Sequence, residues 1–314
     1  MKREDDRFGR VLLAAALFFT STAALGGQGG GSPINLDPGL IVPLAEVPKA
    51  ITRKVITREP LVARFSRGQY EIFFVAAAHE TAPGPTFALI ERCFKRFPAN
   101  AVVREGHAFA DGPAPRTRAV EIEREGGPRS EADQAAALGL ARGLPVYGGE
   151  PTEEEKLATA LASGYSRDEF ISLEYLSMVG YFMRVGQWKA EKAAQVFSEI
   201  STWVPEAPNA PPFDFAGFLR LYREKKGESF DPSDEAEFLS GPNPKGGHWQ
   251  RLGHAVDMGR NRFLAEVLSK LLLRHKRVLV VYGNGHLAVQ WRALVAAFGP
   301  PVYLGTLKEQ RDNR

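Results

Sequence analysis

Short apolar runs alternate along this chain with stretches of helical period, and several of the runs end on a residue capable of chemistry. The clearest is Arg-Val-Leu-Val-Val-Tyr-Gly-Asn-Gly-His at 277–286. Its apolar part, 278–282, is too short for an ordinary helix and rich in β-branched side chains. It predicts a strand buried on both faces, as in parallel sheets. Gly283-Asn284-Gly285 breaks that strand, and His286 opens a helical run over 287–298. A histidine is thereby set at the carboxyl edge of a central strand, where open α/β sheets bind their ligands.

Other runs repeat the arrangement. Residues 61–66 and 70–78 read as strands joined by a turn at Arg67-Gly68, the second ending on His79, and a helix follows over 86–97. A strand begins at 101–103 and closes on Arg104-Glu105-Gly106-His107, followed by a Pro/Gly-rich loop at 111–118. Ser130, with Asp133 three residues on, caps a helix running to Arg142. The strand 144–147 leads through Gly148-Gly149 to Glu150, and Thr152 with Glu155 forms a capping box for a helix to Ser163. From 167 to 239 the period is helical throughout, with helices expected over 170–185, 190–203, 213–225 and 232–239. A long helix over 251–276 carries Val256, Phe263, Leu264, Val267, Leu268 and Leu271 on one arc. Arg260 and Asp257 fall inside that arc and Asn261 at its fringe, and charge on a buried face is costly unless paired. Gly259 marks a candidate break in this helix.

These patterns predict an α/β fold: a mostly parallel central sheet flanked by helices, with an all-helical insertion or cap. The expected organisation is a signal peptide at 1–27, a linker and peripheral segment at 28–60, the first part of the α/β core at 61–164, the helical insertion or cap at 165–250, and the second part of the core at 251–314. Composition adds exclusions. A net charge of +3 on 314 residues, without a Lys/Arg stripe, argues against nucleic acid. The single cysteine, Cys93, permits no intramolecular disulfide and sits in an apolar helical run, so a packed thiol is expected. At the N-terminus, Lys2, Arg3, Arg7 and Arg10 outnumber Glu4, Asp5 and Asp6, an apolar run follows at 11–19, and small residues fill 21–27. This is a secretory signal layout with cleavage expected within 24–27. The run is too short for a bilayer span, which needs about 20 apolar residues. The mature protein is expected to be exported, periplasmic or secreted, with no stable membrane insertion.

Four groups occupy equivalent places after strands: His79, Glu105, Glu150 and His286. On parallel strands they would share one edge. Two neutral imidazoles and two carboxylates suit a divalent ion such as Zn, Mn or Fe. Without a metal, one histidine serves as general base and a glutamate of raised pKa as acid. The plainer reading of each histidine alone is a local hydrogen bond, and of each glutamate a helix-terminal or solvated carboxylate. His107, His248 and His275 have no comparable setting, while His254 lies three residues from Asp257 on one helix face. Neither Gly-x-Ser-x-Gly nor His-Glu-x-x-His occurs, and Tyr282-Gly-Asn-Gly lacks the third glycine of a dinucleotide fingerprint.

At these residues the chain resembles the TraB/Tiki superfamily, with its ChaN-like and erythromycin-esterase-like relatives. The family's Gly-x-x-His is matched by Ala76-Ala77-Ala78-His79, with alanine for glycine, and its glutamate-ending strand by Val102-Val103-Arg104-Glu105. Its Pro-Val-x-Gly-x-Glu-Thr segment is similar to 145–152, its late Arg-Asn to Arg260-Asn261, and its Gly-x-Gly-His-Leu to 283–287. The resemblance implies a cleft lined by these histidines and glutamates. Tiki members are described as metal-dependent proteases, the esterase-like relatives as metal-independent, and ChaN-like relatives as haem binders. The expectation is an exported hydrolase of peptidase or esterase type, metal-dependent, acting on a peptide or small ester. His79, Glu105, Glu150 and His286 would hold a divalent metal ion (Mn, Zn or Fe) or activate water. Arg260 would stabilise an oxyanion or hold a substrate carboxylate. The alternatives are a haem- or ligand-binding protein of the same fold without turnover, and an interaction module with a decayed site. Met178, Met183 and the aromatics of the helical segment are read as core.

Overall fold

β-Branched and aromatic runs form the sheet where they were expected, and both of its faces are covered. The computed structural model describes residues 33–57, 59–79, 84–107, 113–114, 117–184, 186–205, 212–233 and 242–304. The expected signal peptide, its cleavage region and most of the helix expected over 232–239 lie outside these residues. The strands are β1 (Leu61–Arg67), β2 (Tyr70–Ala77), β3 (Ala101–His107), β4 (Val146–Glu150), β5 (Arg277–Gly283) and β6 (Val302–Tyr303). Their order is β4-β3-β5-β2-β1-β6. The four strands β4, β3, β5 and β2 are mutually parallel, whereas β1 and β6 run antiparallel on one side. This is the mostly parallel α/β sheet that the apolar runs imply.

Alternation within the runs decides which face each side chain covers. Ile72, Phe74 and Ala76 of β2 and Val278, Val280 and Tyr282 of β5 enter one buried cluster; Phe73, Val75, Leu279 and Val281 enter the other. The first cluster is closed by α9 (His248–His275) and α10 (Asn284–Phe298). The second is closed by α2 (Pro85–Arg96) and α4 (Glu131–Ala141), with α3 (Thr117–Arg124) beside α4. Helix α3 and strand β6 were not expected from the sequence pattern. Cys93 is buried in the second cluster, and burial pushes its thiol up to about 12, so it is a packing residue.

The segment expected to be peripheral is not. Ile34, Leu36, Ile41, Val47 and, from α1 (Lys49–Val55), Val55 are buried in the first cluster. The Leu36 N–H donates to Ser269 Oγ of α9 at 2.9 Å. Gly259 does not break α9, which is continuous over 28 residues. A Cβ at Gly259 would lie 2.7 Å from Thr159 Cγ2 of α5 (Glu153–Ala162), so this glycine permits close approach of two helices.

Among the described residues of 165–250 there is no strand, and α6 (Arg167–Arg184), α7 (Ala193–Ser201) and α8 (Phe215–Lys226) surround an aromatic core of their own. Tyr175 is central, with Phe218 at 4.8 Å and Phe197 at 5.3 Å between ring centroids. Met178 and Met183 pack against this core. It also takes in Leu157 of α5 and Trp249, Leu252 and Val256 of α9, so the helical region shares α9 with the sheet layers. Among the described residues no helix is long and apolar enough to cross a membrane.

Candidate functional site

Because β2, β3, β4 and β5 are parallel, their carboxyl ends share one edge. His79 follows β2, Glu105 lies in β3 rather than beyond it, Glu150 ends β4, and His286 is in the first turn of α10 after β5. The β3–β4 register shifts between Arg104 and His107, a bulge with Gly106 at φ +115° that redirects the strand at Glu105. Arg260 and Asn261 arrive from the middle of α9 on one face of the sheet. Glu131, the first residue of α4, arrives from the other.

Glu105 is the hub. Its Oε2 lies 3.9 Å from His79 Nε2 and accepts the Gly283 N–H at 2.9 Å; its Oε1 lies 3.8 Å from His286 Nε2 and 3.7 Å from an Arg260 nitrogen. Arg260 donates to Glu150 and lies 3.8 Å from Asp257. His79 Nδ1 faces Glu131 Oε1 at 3.9 Å. The five residues singled out from the sequence are therefore neighbours. A cavity of about 360 Å³ is lined by four of them, His79, Glu105, Glu150 and Arg260, together with Arg104, Glu131 and Tyr282. That volume is at the small end for ligand pockets.

His286 lies against the ring of Tyr282 at 5.0 Å between centroids. Its Nδ1 bonds Asn261 Oδ1 at 2.9 Å. The Asn261 amide is oriented by donating to the Asp257 backbone oxygen at 2.8 Å and its carboxylate at 3.2 Å. An acceptor at Nδ1 fixes the tautomer, so Nε2 turns its lone pair toward Glu105. Gln290 holds the Asn261 carbonyl at 2.6 Å.

Charge is divided unequally. Burial raises the Glu105 carboxyl above the usual range, more than His79, Arg260 and the Gly283 N–H lower it. Burial would also raise Glu150, but the charge and hydrogen bond of Arg260 outweigh it and hold Glu150 low. Burial raises Asp257, although Arg260 opposes. Arg260 would lose basicity through burial, yet Glu150, Asp257 and Glu105 drive its pKa up, so it is permanently charged. Burial, reinforced by Arg260, pushes His286 down to about 3, and it is neutral at any physiological pH. Burial keeps Tyr282 a neutral phenol.

The expected metal set is not assembled. Among the described residues no three His, Cys, Asp or Glu side chains are grouped to hold a metal ion. The physical reason is Arg260: its guanidinium lies between Glu150, Glu105 and Asp257, the position from which a cation would neutralise these acids. Three further residues were not singled out. In the sequence Tyr282 falls within the apolar strand pattern, Arg104 within the strand ending on Glu105, and Glu131 between Ser130 and Asp133 of the capping motif. One signal was present for Glu131: the N-terminus of a helix preceding a parallel strand lies at the sheet's carboxyl edge. Three of the remaining histidines have partners outside the cleft. His107 is near the Pro151 carbonyl and Glu153, His248 near Glu169, and His275 meets Tyr147 Oη at 3.0 Å.

Two backbone features fit His79 to its place. It sits at φ +51°, a region rare for residues other than glycine and concentrated at functional sites. Its ring also lies against Gly283, where a Cβ would overlap His79 Nε2 and come within 3.4 Å of Glu105 Oε2. Gly283→Ala is accordingly expected to fold, since φ −53° suits alanine and the N–H to Glu105 is retained. It should displace the imidazole and reduce activity by about tenfold or more. Urea unfolding alongside turnover measures both.

Comparison with family models, curated proteins and solved structures returned no match.

Proposed function

We propose that the cleft is the active site of a metal-independent hydrolase of ester or peptide bonds. One observation carries this reading: Glu105, a carboxyl raised by burial, stands between two imidazole Nε2 atoms and a fixed guanidinium at the mouth of a cavity. Such a group keeps its proton to higher pH than an ordinary carboxyl and suits a general acid. His79 is the more exposed imidazole and serves as the base, whereas His286 is too weakly basic for that task.

The step balances with water alone. A water oxygen adds to the carbonyl carbon as His79 Nε2 takes its proton. The developing oxyanion is held by Arg260, with the Tyr282 hydroxyl as a second donor. As the C–O or C–N bond breaks, Glu105 protonates the departing alcohol or amine. His79 then returns its proton to Glu105 across the 3.9 Å between them, a distance that one water bridges. The products are a carboxylic acid and an alcohol or amine. The motifs shared with the TraB/Tiki superfamily agree with hydrolysis, and the pattern of residues 1–27 supports export.

The test is turnover of 4-nitrophenyl esters and chromogenic peptides by purified protein, with and without EDTA and 1,10-phenanthroline. Hydrolysis that survives both chelators and disappears in His79→Ala is expected. Turnover that appears only on adding zinc, manganese or iron, or none on any substrate, rejects the proposal.

A further inference from the structure

We infer that Glu131 is the positioning residue of this cleft: its carboxylate accepts the Nδ1 proton of His79, so that Nε2 presents its lone pair to the cavity and to Glu105. The consequence for rate rests on the hydrolytic reading; the consequence for the proton's place on His79 does not.

The imidazole of His79 is flanked by a carboxylate at each nitrogen, Glu131 Oε1 at Nδ1 and Glu105 Oε2 at Nε2, both at 3.9 Å. A shift of about 1 Å brings either to hydrogen-bond range, and such contacts commonly tighten only with substrate bound. The two acids are not equivalent. Glu105 already accepts the Gly283 N–H and shares Arg260 with Glu150, and burial favours its protonated form. Glu131 is only 7% exposed and is the first residue of an 11-residue helix, which fixes its place beside Nδ1. Glu105 is therefore already engaged by other donors on the Nε2 side, and Glu131 faces Nδ1 from the fixed first turn of α4. A free imidazole prefers its proton on Nε2, which would turn the bare Nδ1 lone pair onto Glu131. The arrangement selects the opposite tautomer.

His286 provides an internal parallel. It too places Nδ1 on an oxygen acceptor, Asn261 Oδ1, and Nε2 on Glu105. Glu131 does for the exposed imidazole what Asn261 does for the buried one, with a full charge in place of an amide. That difference matches the two roles: a carboxylate strengthens a base, whereas an amide only fixes orientation.

The experiment is a long-range proton–nitrogen correlation spectrum of uniformly ¹⁵N-labelled full-length protein at about pH 8, where an ordinary imidazole is neutral. His79→Gln and His286→Gln assign the two rings. Wild type is expected to show His79 in the Nδ1–H form. Glu131→Ala is expected to move it toward Nε2–H while His286 is unchanged, which separates the effect from loss of fold; Glu131→Asp retains the Nδ1–H form. Should the alanine variant not fold, Glu131→Leu, which has no acceptor, is read in the same way. His79 found as Nε2–H in wild type, or unaltered on removing the carboxylate, overturns the inference. In parallel, Glu131→Ala is expected to lower kcat on 4-nitrophenyl acetate about tenfold with KM unchanged. A tautomer that switches in a protein without turnover rejects the hydrolase and leaves Glu131 in its role. Full turnover with an unmoved proton rejects Glu131 and leaves the hydrolase.

Discussion

Replacing Arg260 by methionine is expected to cost about 3 kcal/mol of folding free energy near pH 7.5, as removal of one partner from a buried ion pair generally does. The guanidinium is the common partner of Glu150, Glu105 and Asp257, and Lys156 is a smaller influence on Glu150 alone among the three. The pH dependence should also reverse. In the wild type Glu150 is held below the usual range, so its contribution is present above the unfolded carboxyl pKa and is lost as pH falls through the folded one. Without Arg260 the same burial raises Glu150. Its neutral form is then favoured by folding, and stability is lost as pH rises through the raised folded value. The variant should therefore be weakest at neutral pH and recover below about pH 5, where the acids are protonated. Urea unfolding at both pH values measures this. A variant equally destabilised at both would show that Arg260 contributes packing and not charge.

Glu105→Gln is expected to separate activity from stability. Burial raises the folded pKa of Glu105, so the protonated form favours folding and the ionised form opposes it. That contribution is fully present below the unfolded pKa and lost as pH climbs through the folded one. Glutamine keeps the shape, accepts the Gly283 N–H and never ionises. The variant should match or exceed wild-type stability at pH 7 to 8, as about expected for removing an unfavourable buried charge. Its kcat should fall by about a hundredfold, since the acid is gone. Thermal unfolding and the 4-nitrophenyl ester assay, run on one preparation, read both quantities. A fall in Tm comparable to the fall in kcat would mean that Glu105 supports the structure and not the reaction.

How far the sequence reaches depends on which residues are asked about. The strand ends could be read because runs such as 278–282 are apolar enough to require cover on both faces, and parallel pairing then brings their carboxyl ends to one edge. Arg260 stood out as a charge on a buried helical arc. Its partner did not, because nothing local connects α9 to the end of β4, 110 residues away. That missing contact is what made two histidines and two glutamates suggest a metal. Glu131 was hidden for a different reason: an acid in the first turn of a helix has an ordinary explanation in the dipole. The segment 34–57 has no period that marks it as core, and its burial follows only from the groove left beside α9 and α10.

Helix α9 carries Trp249, Leu252 and Val256 into the aromatic core of the helical region, and Arg260 and Asn261, one turn further on, into the cleft. The two regions are thus joined by a continuous rod and not by a hinged stalk. Excising residues 165–250 would strip the apolar lining from the first half of that rod, so the α/β core cannot be isolated by trimming. Transplanting another helical region would succeed only if the graft offered a matching greasy seat for Trp249.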